Sequence, residues 1–401
     1  MASSFTGTPL KIIYTHDENR SHTMSLSAKI NTAVRMNIAK RRLESRKIDS
    51  GAGNPLEQWG LAKIRNDIKN SKELKELFGQ REFDRELINE YKLFRFRELV
   101  RYVMENSPYY EELYEKAGID SSRIMTYKDL EQLPLTEQKQ LAEHPYHFLC
   151  VSRKEIAREF TSSGTTNMLK RMAYTQDELL EIVDSVISGL KMAGMDSRED
   201  TLQIMYPTIT ATWDPGLVLS KACALSGYNS VINDSLDVKE QLRTMREAGT
   251  TLIIGTSSFL YELSKAARTL IKPGELGIKR IICSSEPLTP AMREEIESVW
   301  GCKTLRQWGM TELGLANAIE CAEQDGFHLN NPDFLVEVID PKTGEQLSPG
   351  EEGELVVTTL RRRCMPLIRY RTRDITTLID EPCNCGACLD QRIGDIKRMP
   401  S

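Results

Sequence analysis

Ten consecutive residues, Thr161-Ser-Ser-Gly-Thr-Thr-Asn-Met-Leu-Lys170, bring together hydroxyls, one glycine and a terminal lysine. A polyphosphate needs closely spaced backbone N–H groups, hydroxyl donors and a cation. Glycine lets the backbone approach the anion, and lysine acts as a point charge on it. Thr161, Ser162, Ser163, Gly164, Thr165, Thr166 and Lys170 are therefore candidate phosphate ligands. The stretch is not the Walker pattern, which sets two glycines around four residues ahead of its lysine. Residue types alone fit a Ser/Thr-rich surface turn equally well.

A second chemistry is suggested by sulfur and imidazole. Cys321 precedes His328 by seven residues, and Cys383-Asn-Cys385 follows later. Three thiolates and one imidazole suit a closed tetrahedral zinc site with a structural role. Cys385-Gly-Ala-Cys388 adds one Cys-x-x-Cys spacing, so Cys388 could replace Cys383 or Cys385, and cysteines unrelated to any metal are the other reading. Nine cysteines, unevenly placed, do not make a secreted disulfide framework. Cys150, Cys223, Cys283, Cys302 and Cys364 read as small buried residues.

These groups need elements to hold them. From Phe160 to Leu305, short β-rich runs alternate with helical ones. Thr201–Tyr206, Ser230–Ile232, Thr251–Ile254 and Arg280–Cys283 read as buried strands, and a further strand is expected over Lys303–Arg306. Helices are expected over Glu178–Met192, Val238–Ala248, Ser258–Ile271 and Pro290–Trp300. That alternation implies βαβ units and a parallel sheet, with ligands at the strand C-terminal ends. The loops after Tyr206 and Gly255 would then line a pocket, which makes Tyr206, Pro207, Thr208, Ser257 and Ser258 candidate substrate residues. Tyr206 and Trp213 point to a flat or aromatic substrate.

Upstream, Phe83 to about Ala117 is helical, with Pro108 as the interruption. Residues 1–82 form a polar and helical extension whose role the sequence does not reveal. After Gly326, Phe334–Ile339, the turn Pro341–Gly344 and Gly353–Thr358 read as antiparallel hairpins. The expected organisation is an extension over 1–82, an α/β core over 83–330, and a β-rich subdomain over 331–401. The formal net charge of -5 gives no reason to expect nucleic acid or an anionic membrane as partner. No apolar run reaches the ~18 residues of a membrane helix, and the first residues lack a secretory pattern, so a cytoplasmic location is expected.

Three further segments carry a resemblance. Thr161–Lys170 resembles the phosphate loop of the acyl-adenylate-forming superfamily, with Asn167 in place of a second glycine and Leu169 in place of a proline. Gln307-Trp-Gly-Met-Thr-Glu312 resembles that family's aromatic-Gly-Met-Thr-Glu segment. By this resemblance Trp308 lies near the adenine, with Gly309 and Met310 in the same nucleotide segment. Thr311 contacts phosphate, and Glu312 helps hold magnesium. Ser284-Ser-Glu-Pro287 resembles the segment beside the adenine, which implies that Ser285, Glu286 and Pro287 line the nucleotide. Pro366-Leu-Ile-Arg-Tyr-Arg-Thr-Arg-Asp374 resembles a motif ending in Thr-Gly-Asp, whose aspartate binds ribose hydroxyls. Asp374 suits that role, since a carboxylate accepts both protons, while Arg373 stands where glycine is usual.

Within the superfamily the chain is most similar to phenylacetate–CoA ligases and to the deazaflavin-adenylating synthetases of methanogens. Asn106-Ser-Pro-Tyr-Tyr110, Tyr114, Ala117-Gly118, Leu133-Pro-Leu135 and Gly353–Leu360 carry this likeness, which runs from Phe83 to Arg398. Some family members also carry metal-binding cysteines and a histidine near the positions noted above. The resemblance implies an ATP-dependent ligase: adenylation of a small, aromatic carboxylic acid with magnesium, followed by transfer to CoA or another nucleophile. Two other outcomes are AMP transfer to a cofactor hydroxyl and a catalytically weak nucleotide-binding regulatory protein. Arg392-Ile-Gly-Asp395 resembles the hinge, which places Arg392 among the nucleotide residues and leaves the family's mobile C-terminal domain outside this chain. A homodimer and a separate acceptor protein complete the expectations.

Overall fold

The computed structural model describes residues 53–162, 169–195, 198–206, 215–330, 332–389 and 391–399, together with a short strand, Ile13–Tyr14. These residues fall into two compact units. One takes the described part of 193–305 with the short strand, and the other takes 53–192 and 306–399.

In chain order the strands are β1 (Ile13–Tyr14), β2 (Ile156–Ser162), β3 (Lys170–Thr175), β4 (Thr201–Met205), β5 (Asn229–Ile232) and β6 (Leu252–Thr256). Then come β7 (Arg280–Ser284), β8 (Thr304–Trp308), β9 (Ala318–Glu320), β10 (Phe327–Leu329) and β11 (Phe334–Ile339). The last are β12 (Gly353–Thr359), β13 (Tyr370–Thr376), β14 (Leu378–Ile379), β15 (Arg392–Ile393) and β16 (Lys397–Arg398).

The first unit is a parallel sheet in the order β1-β5-β4-β6-β7. Every residue of β4 is buried, as a strand covered on both faces requires, and its one amide, Gln203, is paired with Gln241 and Thr250. Helices Pro215–Ser226, Val238–Ala248, Ser257–Ala267 and Pro290–Trp300 follow β4 to β7 in turn. Their ends are chemically marked: Asp237, Thr256 and Thr289 cap N-termini, and Gly249 (φ 61°) ends the second of these helices in the left-handed region. A core of Leu242, Ile253, Leu260, Ile281, Ile296 and Trp300 packs beneath. The βαβ expectation holds here, although the helix expected over Ser258–Ile271 ends at Ala267.

The second unit holds the β2–β3 hairpin, the antiparallel run β9-β10-β15-β14, and a four-stranded sheet β11-β12-β13-β16. The hairpin expected from Phe334 to Thr358 is β11–β12, paired from Phe334↔Thr359 to Ile339↔Glu354. The fold class is therefore α/β with further antiparallel sheets. The expected division at residue 82 does not coincide with a packing boundary. Helices Pro55–Asn70 and Lys72–Phe78 share one apolar cluster with helix Arg85–Asn106, in which Ile64, Ile68 and Phe78 meet Leu87, Ile88 and Tyr91.

Candidate active site

In the second unit, Lys170 opens β3 directly opposite Ser162, the last residue of β2. A hairpin of this kind sets both at the mouth of the connecting loop. The Ser162 hydroxyl is buried and has no hydrogen-bond partner among the described residues. Ser163, Gly164, Thr165 and Thr166 lie outside the described residues, so the loop itself is not described.

The Lys170 ammonium lies 2.5 Å from Glu312 Oε1, with both side chains 3% exposed. It also donates to Gln138 Oε1 at 3.0 Å. Tyr370 donates its hydroxyl to the same Glu312 Oε1 at 3.0 Å. Burial, reinforced by the Glu312 charge, pushes the Tyr370 phenol well above its ordinary range, so it stays a neutral donor. The two predicted residues from distant segments are thus in direct contact.

The backbone explains the Gly-Met-Thr-Glu pattern. A Cβ on Gly309 would sit 1.3 Å from the Leu315 carbonyl oxygen, so no side chain fits. Met310 N–H donates to Asn317 Oδ1 at 2.9 Å, and the Thr311 carbonyl accepts from the Tyr174 hydroxyl at 2.5 Å. Trp308 donates its indole N–H to Asp374 Oδ2 at 3.1 Å, and Arg398 donates to Oδ1 at 2.9 Å. Asp374 is 6% exposed and follows Arg373, whose φ is 60°. Arg392 is placed differently from the other predicted nucleotide residues. Its guanidinium is 2.9 Å from Asp325 Oδ2 and donates to the carbonyls of Asp325 and Glu381, with no described contact to Asp374.

In the first unit, the predicted residues gather at the C-terminal ends of β4, β6 and β7. The Ser257 hydroxyl donates to the Glu286 carbonyl at 2.9 Å, and the Ser258 N–H donates to Glu286 Oε2 at 2.9 Å. Burial raises the Tyr206 phenol well above its ordinary range, and hydrogen bonds with Ser284 and Ser285 only partly offset this. Ser285 holds φ at 67°, a left-handed backbone beside Glu286 and Pro287. Pro207 and Thr208 lie outside the described residues, as does Trp213.

Cys321, His328, Cys383 and Cys385 form one cluster, with ligand atoms all within 4.8 Å of each other. Cys321 Sγ is 3.6 Å from Cys383 Sγ, and Cys385 Sγ is 3.5 Å from His328 Nε2. Tetrahedral zinc at its usual bond lengths sets such edges at about 3.5–3.8 Å, so the donor set fits. Burial, helped by the neighbouring thiols, pushes the Cys321 thiol up to about 12. Burial also raises Cys385, yet His328, the Ala387 amide and Asn54 bring it down to about 6, close to a thiolate at neutral pH. Cys388 is exposed and stands outside the cluster.

Residues 100–360 match the family described as AMP-binding enzyme, more than half of the chain. The chain belongs to that family. The phenylacetate-coenzyme A ligase of Thermus thermophilus is 32% identical over 73% of this chain and 66% of its own length. Phenylacetate-coenzyme A ligase from Escherichia coli is 29% identical over 71% and 66%. The chain spans about two thirds of the length of these curated relatives. Among solved structures, an open conformation of 2-hydroxyisobutyryl-CoA ligase with 2-HIB-AMP and CoA superimposes with a TM-score of 0.70. It covers 78% of this chain and 69% of that one at 20% identity, which supports the fold.

Several partners of the predicted residues escaped the sequence reading. Gln138, Tyr370 and Arg398 touch Lys170, Glu312 and Asp374, and Asn54 donates to Cys385 Sγ at 3.0 Å. Tyr370 lies inside the motif that ends at Asp374, while Gln138 and Arg398 each lie three positions beyond a segment that carries the likeness. No helix of the described residues is long and apolar enough to cross a membrane.

Proposed function

We propose that this family member adenylates a small aromatic carboxylic acid with ATP and magnesium, and passes the acyl group to CoA. The carrying observation is the contact of Lys170 with Glu312, which joins the ends of two motifs at a buried position. The family membership and the names of the relatives support the reaction class and an aryl acid as substrate.

In this reading a carboxylate oxygen attacks the α-phosphorus of ATP, a P–O bond to the β-phosphate breaks, and pyrophosphate leaves. Lys170 neutralises phosphate charge, with the Ser162 hydroxyl as a nearby donor. Glu312 would hold magnesium, which when bound supplies Lewis-acid neutralisation of the phosphate oxygens. Asp374 accepts ribose hydroxyls, since a carboxylate has about four acceptor sites and its two present donors leave capacity. Thr311 serves the phosphate, Trp308 the adenine side, and Ser285, Glu286 and Pro287 the nucleotide, on the strength of the family likeness. Tyr206, Ser257 and Ser258 stand as acid-side residues. Cys321, His328, Cys383 and Cys385 would hold a structural zinc ion.

ATP–pyrophosphate exchange tests this, with phenylacetate and a panel of aryl and short aliphatic acids. Acid-dependent exchange is expected. Tight ATP binding without exchange for any acid overturns adenylation by this chain.

A further inference from the structure

The buried ends of Lys170 and Glu312 have a polarity in their bonding. Both donors to Glu312, the Lys170 ammonium and the Tyr370 hydroxyl, fall on Oε1. Oε2 carries none of the described hydrogen bonds. The Lys170 ammonium has three protons. One faces Glu312 and one faces Gln138 Oε1, while the third has no partner among the described residues. Among the described residues, one carboxylate oxygen and one ammonium proton thus carry no partner, on neighbouring groups that are both buried.

Gln138 is itself locked. Its Nε2 donates to the carbonyls of Thr372 at 2.9 Å and Arg371 at 3.3 Å, which fixes Oε1 as the acceptor turned to Lys170. The same strand, β13, carries Tyr370 and Asp374. Gln138 and Tyr370 are 3% and 0% exposed, and neither side chain has room for another orientation at low cost. An amine beside a lone carboxylate would otherwise pair with both oxygens in turn.

We propose that Gln138 and Tyr370 are positioning residues for the nucleotide step. Tyr370 holds Glu312 by Oε1 so that Oε2 faces the cation, and Gln138 holds Lys170 so that its free proton faces the phosphates. This inference rests on the adenylation reading. It makes two separable demands. Loss of the Tyr370 hydroxyl acts on the magnesium dependence of binding. Loss of the Gln138 amide acts on the discrimination of ATP from AMP, because only ATP brings the β- and γ-phosphates.

The test is calorimetric titration of ATP and AMP at several magnesium chloride concentrations. Tyr370→Phe is expected to lose about ten- to hundredfold of the magnesium-dependent gain in ATP affinity, the scale of one charge-assisted hydrogen bond. Gln138→Met is expected to lower the ATP-to-AMP affinity ratio by a similar factor while AMP binding changes less than about twofold. A merely structural role would weaken both nucleotides alike. Thermal unfolding shows that each variant is folded, and if Tyr370→Phe does not fold, Gln138→Met carries the test alone. Glu312→Gln and Lys170→Ala serve as references. If these two abolish the magnesium gain and the ATP preference while the folded positioning variants keep them, the positioning role is overturned and the adenylation reading stands. If the references also leave both quantities unchanged, or the chain binds no ATP, the adenylation reading falls and this inference with it.

Discussion

Arg373 and Ser285 hold left-handed backbone conformations, at φ 60° and 67°, within two of the motifs assigned to the nucleotide. An L-residue there costs about 1–2 kcal/mol, and such strain persists where the surroundings over-determine the backbone. At Arg373 the family's usual glycine now has a physical explanation: the turn into Asp374 needs positive φ. Arg373→Gly should therefore be neutral to stabilising, by up to about 1 kcal/mol, once glycine's extra unfolded-state freedom is subtracted. Urea unfolding measures this, and a loss greater than about 1 kcal/mol would mean that the arginine's own contacts outweigh the strain. Lys170, Glu312 and Asp374 were legible because charged residues at motif ends advertise their chemistry. Gln138 was not, because a glutamine on an ordinary helix start has no spacing signal and its partner is 32 positions away. Arg392 shows the converse: a motif position can be filled by a residue whose charge is spent elsewhere, here on Asp325.

At the scale of elements, the buried strands were legible as short apolar runs, and the caps as Asp, Thr and Gly at helix ends. The packing of helices Pro55–Asn70 and Lys72–Phe78 was not, because their polar composition hides a cluster completed by residues beyond position 82. The sheet β11-β12-β13-β16 is pinned by another feature that sequence does not display. Arg369, just before β13, donates to both oxygens of Glu337 on β11 at 3.2 and 2.8 Å, and to the carbonyls of Glu131 and Leu133. Both charges are nearly fully buried. Burial pushes the Glu337 carboxyl above its ordinary value, and Arg369 opposes that rise. Arg369→Met should cost about 3–5 kcal/mol, because it strands a buried carboxylate. The sign of its pH dependence follows. Glu337 in the folded variant would bind a proton more tightly than in the unfolded chain, so stability falls as pH rises through the raised folded value. The loss should be smaller at pH 5 than at pH 8. Adding Glu337→Leu should restore much of the stability and remove the pH dependence, and denaturant unfolding of the parent protein and the two variants at both pH values checks the pair.

At the scale of the whole molecule, the cysteine cluster joins parts of the second unit that are very distant in sequence. Asn54 caps helix Pro55–Asn70 through the amides of Leu56 and Glu57, and its own amide donates to Cys385 Sγ across 331 positions. Glu57 accepts from the amides of Cys388 and Leu389, so the start of that helix is clasped to the segment carrying two of the thiols. Cys321 and His328 supply the remaining donors from either side of the turn between β9 and β10. A metal held by all four would close the loop between His328 and Cys383, and its binding energy would appear as folding energy. Chelation of zinc, or Cys383→Ser, should then lower Tm by more than about 5 °C. Hydrogen exchange should rise first in residues 55–70 and 383–389, because those two segments hold each other. MgATP affinity in the protein that stays folded should change much less, since no described contact links these donors to Lys170 or Glu312. Protein produced with zinc that contains none, or a Tm indifferent to chelation, would mean that the clasp is held by its hydrogen bonds alone. A loss of MgATP affinity as large as the loss of stability would instead make the metal part of the nucleotide site.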